Sequence, residues 1–234
     1  GAGFEAKVED ALSFLVHNHL PGDEVFVFGF SRGAATARAL TRFLDWSGGL
    51  PAKGDAYYLP RFFRQYLDAR GEVSAAEVRR AIDADRAAEP RPKEPLGPFQ
   101  RVDIAFLGVW DTVMALGSRF RAAGESTSTA SRSFHVGARP ADCVRHARQA
   151  LAIDEARYDF RPEVWTDRQP HQTLEQRWFA GVHSNVGGGY VDDGLANRAY
   201  HRLLDAACEQ GRATAPDCAE IYRGYPQDRL YRSE

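Results

Sequence analysis

The chain has no apolar run longer than a handful of residues, far short of the roughly 20 that cross a bilayer as a helix, so no membrane-spanning helix is expected. It has no surplus of one charge. Thirty Lys and Arg stand against thirty-two Asp and Glu, a net charge of -2, which leaves no basic excess for nucleic acid or a strongly anionic surface. Cysteine is scarce: Cys143, Cys208 and Cys218 are odd in number and form no C-x-x-C pair. Neither a disulfide framework nor a zinc site is indicated, and the thiols are read as reduced and structural. The first residues, Gly1-Ala2-Gly3-Phe4-Glu5, lack an initiator methionine, a basic start and an apolar core, so synthesis in the cytoplasm without a signal peptide is expected. No internal repeat is visible.

What remains is the pattern of one α/β domain over residues 1–234. Phe4, Val8, Leu12, Leu15 and Val16 recur at helical spacing, and Pro21-Gly22-Asp23 breaks that helix before an apolar β-run, Val25 to Phe28. A second helix runs to about Asp45. Residues 50–100 read as a helical insertion, with helices around Tyr58 to Asp68 and Ala75 to Ala88 and a proline-rich connector from Glu89 to Pro98. Val102 to Trp110 is the next strand, continuous in apolar residues as in a sheet covered on both faces. Gly117 to Ser133 reads as a mobile loop. A helix near Asp142 to Ile153, a third strand from Arg177 to Val182 and a final helix from about Leu195 to Glu209 complete the reading.

The strand from Val25 stops at Gly29-Phe30-Ser31-Arg32-Gly33, a glycine-x-serine-x-glycine turn. Between a strand and a helix such a turn is a nucleophile elbow: it forces the serine into a strained backbone and lifts its hydroxyl clear of the sheet. Both flanking glycines are expected to make room for it. A serine needs a base, and the base needs a third group to hold its tautomer. Ligand sites of parallel sheets lie at the carboxyl ends of strands, which selects Asp111 after Trp110 and His183 after Val182. The chain order Ser, Asp, His is that of α/β-hydrolases. Asp111 has a plainer use in capping the turn at Thr112, and Asp192 or Asp193 could replace it or bind a cation. The run Gly187-Gly188-Gly189 lacks the lysine and layout of a phosphate-binding loop.

Four strings carry a resemblance: Phe28-Gly29-Phe30-Ser31-Arg32-Gly33-Ala34, Phe106 to Val113, Ala150 to Glu155, and Trp178 to Tyr190. They closely resemble an α/β-hydrolase family that includes the phospholipase effectors of bacterial type VI secretion. The resemblance implies an α/β fold with a parallel sheet and flanking helices. It implies Ser31 as nucleophile, Asp111 as acid and His183 as base, acting on phospholipid acyl esters with no metal and no cofactor. The Arg32 amide is the implied oxyanion donor. Members of the family begin with an additional strand ending in an Asp-Gly-Thr type loop, and this chain starts after it. On that basis the domain is expected to be N-terminally incomplete, and slower by about a hundred- to thousandfold for want of a second oxyanion donor.

The implied partners are a phospholipid or other ester, a secretion-spike component and an immunity protein, with transient contact at a membrane surface and export to a target cell. Substrate-pocket candidates are Phe30, Tyr58, Phe62, Tyr66, Trp110 and Asn185. Tyr58, Phe62 and Tyr66 share one helical face, which serves either as a lid or as packing for the inserted helix. An esterase of small soluble esters and a catalytically silent docking module are the rival readings.

Overall fold

A computed structural model describes residues 2–68, 72–91, 93–114, 136–211 and 224–231. Helix α1 (Ala2–Asn18) buries Val8, Leu12, Leu15 and Val16, an apolar stripe at helical spacing. Strand β1 (Val25–Phe30) alternates as a strand must: Val25 and Val27 face the helical cluster, while on the other face Phe26 stacks on Phe106 and Phe28 meets it at a tilt. Helix α2 (Arg32–Ser47) follows at once and buries Ala34, Ala35, Ala37 and Ala39, small residues that let a helix lie close to a sheet. It stops at Gly48, left-handed at φ 74°, whose N–H donates to the Asp45 carbonyl.

The expected insertion leaves and rejoins the domain at one place, where Leu50 and Gln100 exchange backbone hydrogen bonds of 2.9 and 2.7 Å. Between them lie a 3₁₀ turn (Lys53–Tyr58), α3 (Leu59–Asp68) and α4 (Ala75–Ala87). Helix α4 starts on a reciprocal cap in which the Ser74 hydroxyl accepts from the Glu77 N–H and the Glu77 carboxylate accepts from the Ser74 N–H. Phe62 and Phe63 bury themselves in the core, Phe63 edge-on to Phe43 of α2.

Strands β2 (Ile104–Trp110), β3 (Val144–Ala152) and β4 (Thr173–Phe179) join β1 in a parallel sheet of order β1-β2-β3-β4. Helices α5 (His183–Gly187) and α6 (Gly194–Cys208) cover the face opposite α2, where Ala150 and Ala152 meet Val186, Ala199 and Leu203. The architecture is α/β-hydrolase-like, with helices on both faces of the sheet.

Two assignments change. Residues 144–152, expected as helix, form β3, a central strand. Val-Arg-His-Ala-Arg-Gln-Ala-Leu-Ala is rich in helix formers, but its backbone is claimed by β2 on one side and β4 on the other. The following strand lies at 173–179 rather than at Arg177 to Val182, because Gly181 adopts φ 112° and turns the chain into α5. The loop from Gly117 to Ser133 lies outside the described residues, as do His135 and Cys218. Cys143 is buried, and burial pushes its thiol up to about 12, which keeps it unreactive.

Candidate active site

Strand register brings the site together. Phe30 pairs with Trp110, and Trp110 with Ala150, so the residues after β1 and β2 emerge side by side. The ladder continues one step further: the Ser31 N–H donates to the Trp110 carbonyl at 2.9 Å and the Asp111 N–H to the Ala150 carbonyl at 2.8 Å. Ser31 has φ 58° and ψ -125°, the strained conformation expected of an elbow. A side chain at Gly29 would overlap the Gly33 carbonyl and Ala34, so Gly29 is required; a Cβ at Gly33 meets nothing. The expectation that both glycines make room is therefore corrected to one.

His183 opens α5 and is 4 % exposed. Its Nε2 lies 2.8 Å from Ser31 Oγ and its Nδ1 2.7 Å from Asp111 Oδ2. Asp111 is wholly buried, and its Oδ1 accepts from the Ala152 N–H at 3.0 Å. A carboxylate accepts through its oxygens, so the tautomer that satisfies this pair carries its proton on Nδ1 and leaves the Nε2 lone pair facing the serine hydroxyl. The Asp111 carboxylate bonds the Ala152 N–H and His183 rather than serving as the turn cap its plainer reading gave, and the Thr112 hydroxyl donates to Gln149. Nor do Asp192 and Asp193 replace it: Asp192 accepts from Tyr231 and Asp193 from Asn197. Among the described residues no group of three or more Asp, Glu, His or Cys is placed to hold a metal ion, and no helix is long and apolar enough to cross a membrane.

The pocket candidates divide. Phe30 sits with its ring centroid 4.5 Å from that of His183. A side chain at Gly187 would overlap the Phe30 ring, so this glycine exists to seat α5 on β1. The Trp110 carbonyl holds Ser31, but its ring turns away to Phe28. Asn185 is buried and structural: its Oδ1 accepts from the N–H groups of Val182 and Tyr231, and its Nδ2 donates to the Arg229 carbonyl. Phe62 is 1 % exposed against Phe99, Tyr66 packs on Phe43 and Trp46, and Tyr58 lies under the Arg86 guanidinium. Phe43 and Trp46 are about 16 to 21 Å along α2 from its start at Arg32. These three aromatics therefore pack the insertion rather than lining the serine's surroundings. The cleft of about 380 Å³ between β4 and α6, lined by Arg177, Phe179, Leu195, Arg198 and Arg202, likewise contains none of Ser31, Asp111 and His183.

Two neighbours of His183, Glu155 and Phe160, and Arg157, which binds both, are assigned no role by the sequence. Glu155 Oε2 accepts from the His183 N–H at 3.2 Å, and the Phe160 ring stands edge-on to the imidazole at 4.9 Å. The sequence signals are the place of Glu155 at the end of one string that carries the resemblance, and a pair of opposite charges two residues apart after a β-run.

No curated protein matches the chain. Among solved structures, an uncharacterized protein from Pseudomonas aeruginosa is 22 % identical with a TM-score of 0.47; the match covers 96 % of this chain and 30 % of that one. A structure of the Tle1 effector bound to the VgrG spike from the type 6 secretion system is 24 % identical with a TM-score of 0.38, the match covering 82 % of this chain and 30 % of that one. The chain thus spans about 30 % of the length of these structures. The family described as type VI secretion phospholipase effector, Tle1-like, catalytic domain, matches residues 1–208, nearly the whole chain, and to that family the chain belongs.

Proposed function

We propose that this chain is a serine hydrolase that cleaves the acyl esters of phospholipids, with Ser31 as nucleophile, His183 as general base and Asp111 as its orienting carboxylate. One observation carries the reading: a buried imidazole lies 2.8 Å from a serine hydroxyl held in a strained turn, with its other nitrogen 2.7 Å from a buried carboxylate. Ser31 Oγ attacks the ester carbonyl while His183 Nε2 takes its proton. His183 then gives that proton to the departing alcohol, the lysophospholipid. Water, deprotonated by His183, releases the fatty acid and restores Ser31.

The Arg32 amide supports the negative oxygen of the tetrahedral intermediate. As the first residue of α2 it has no carbonyl one turn earlier to bond, so its N–H points out of the helix end. The phospholipid class, delivery to a target cell, a spike component and an immunity protein as partners all rest on family membership.

The test is labelling with a fluorophosphonate, which reacts with activated serines. The parent should label, and Ser31→Ala and His183→Ala should not; equal labelling of parent and Ser31→Ala overturns the reading. Vesicles of defined phospholipid, assayed for free fatty acid, then decide between lipid and small soluble esters.

A further inference from the structure

Glu155 is an acid whose side chain is 2 % exposed, and it is not part of the relay through Asp111. Its Oε1 accepts from the backbone N–H and Nε of Arg157 at 2.8 and 2.9 Å; its Oε2 accepts from Arg157 Nη2 at 2.8 Å and from the His183 N–H at 3.2 Å. The Arg157 guanidinium lies 3.6 Å over the Phe160 ring, whose edge meets the imidazole of His183. Phe30 closes on the same imidazole at 4.5 Å. His183 is thus held at its backbone by one carboxylate and at its ring by two aromatics, while one arginine grips both the carboxylate and an aromatic.

We propose that Glu155, clamped by Arg157, is a positioning residue for His183: it fixes the backbone of the base while Phe160, under the same guanidinium, fixes the plane of its ring. The proposal rests on the reading of His183 as base. An imidazole that must reach Ser31 with one nitrogen and Asp111 with the other has no freedom in its backbone, and displacement of a catalytic group by about 1 Å costs on the order of a hundredfold. Nothing in the chemistry requires an ion pair at this point, since a neutral acceptor would satisfy the His183 N–H. The pair does more, because its two charges bear on His183 with opposite sign. The other charged or titratable groups among the described residues on the segments that hold or pack against the His183 helix are Asp111, Arg32, Asp154, Tyr158, Asp159, Arg161 and Tyr190, with Arg145, His146 and Arg148 on β3 and Arg198, His201, Arg202 and Asp205 on α6. The first of these holds the ring directly.

Opposite signs give the test. The rate of fluorophosphonate labelling at Ser31 is measured against pH for the parent, Glu155→Gln, Arg157→Gln and Phe160→Leu, each checked by circular dichroism. Glu155→Gln leaves the guanidinium unopposed, disfavours imidazolium and moves the acid limb down. Arg157→Gln leaves the carboxylate unopposed and moves it up. Both are expected to slow the plateau by about tenfold or more, and Phe160→Leu to slow it without moving the limb. Limbs that stay put, or move together in the two glutamine variants, overturn the proposal while leaving the serine-base reading intact. A parent that does not label at Ser31 overturns that reading and this proposal with it. If Glu155→Gln fails to fold, Arg157→Gln and Phe160→Leu decide: an unmoved limb in the first, or an unchanged rate in the second, is a failure.

Discussion

Ser31 and Asp111 are the two non-glycine residues with positive φ among the described residues, at 58° and 43°, and they stand next to each other at the ends of hydrogen-bonded parallel strands. Each such conformation costs on the order of 1–3 kcal/mol and persists only where the surroundings over-determine it. Here the surroundings are the ladder itself, which runs one bond past each strand to hold both backbones.

Asparagine tolerates a left-handed backbone better than most residues, so Asp111→Asn is expected to fold like the parent. It cannot hold the same imidazole tautomer by a carboxylate. Labelling should fall by about 10³- to 10⁴-fold with little change in thermal midpoint. A labelling rate within tenfold of the parent would remove Asp111 from the mechanism.

The two elbow glycines should respond differently. Gly29→Ala drives a methyl into the Gly33 carbonyl and is expected to destabilise by roughly 1–3 kcal/mol. Gly33→Ala enters open space inside α2 and should be neutral or stabilising by up to about 1 kcal/mol. Denaturant titration measures both, and equal losses would contradict the geometry.

Burial opposes ionisation of Glu155, but the hydrogen bonds from Arg157 and the His183 N–H prevail and hold its carboxyl down to about 2. Its folded value lies below its unfolded one, so its contribution is complete above about pH 5 and is lost as pH falls from there towards 2. Thermal midpoints followed over that range should fall less steeply for Glu155→Gln than for the parent. Parallel curves would show that Glu155 is not preferentially ionised in the fold.

Phe62→Ala empties a core position and is expected to cost about 3–5 kcal/mol, while a lid residue would instead alter KM for vesicles. Thermal denaturation with fatty-acid release from the same preparation separates the two. A stable variant with raised KM would restore the lid.

Ser31 and Asp111 were legible as neighbours because each is the first residue after a run of β-formers, a property of a few consecutive residues. His183 was legible for a similar reason, although the chain leaves the sheet at Phe179 and reaches it through a turn. Strand β3 was not: its own residues favour helix, and the bonds that make it a strand come from β2 and β4. The bond from the His183 N–H to Glu155 was illegible on the same ground, although Glu155 closes one of the strings that carry the resemblance. Its partners span 28 residues to His183, and a lone carboxylate near a basic residue is ordinary at a surface.

The bond between Ser31 and His183 joins positions 152 residues apart, and Asp111 and His183 are 72 apart. No local piece of the chain contains a partial version of this arrangement. A fragment, a collapsed intermediate or a chain opened at β3 has a serine but no base beside it. If Ser31 is the nucleophile proposed above, chemical reactivity at one hydroxyl reports the completion of long-range folding, and the fraction of Ser31 that reacts under partial denaturation counts native molecules directly.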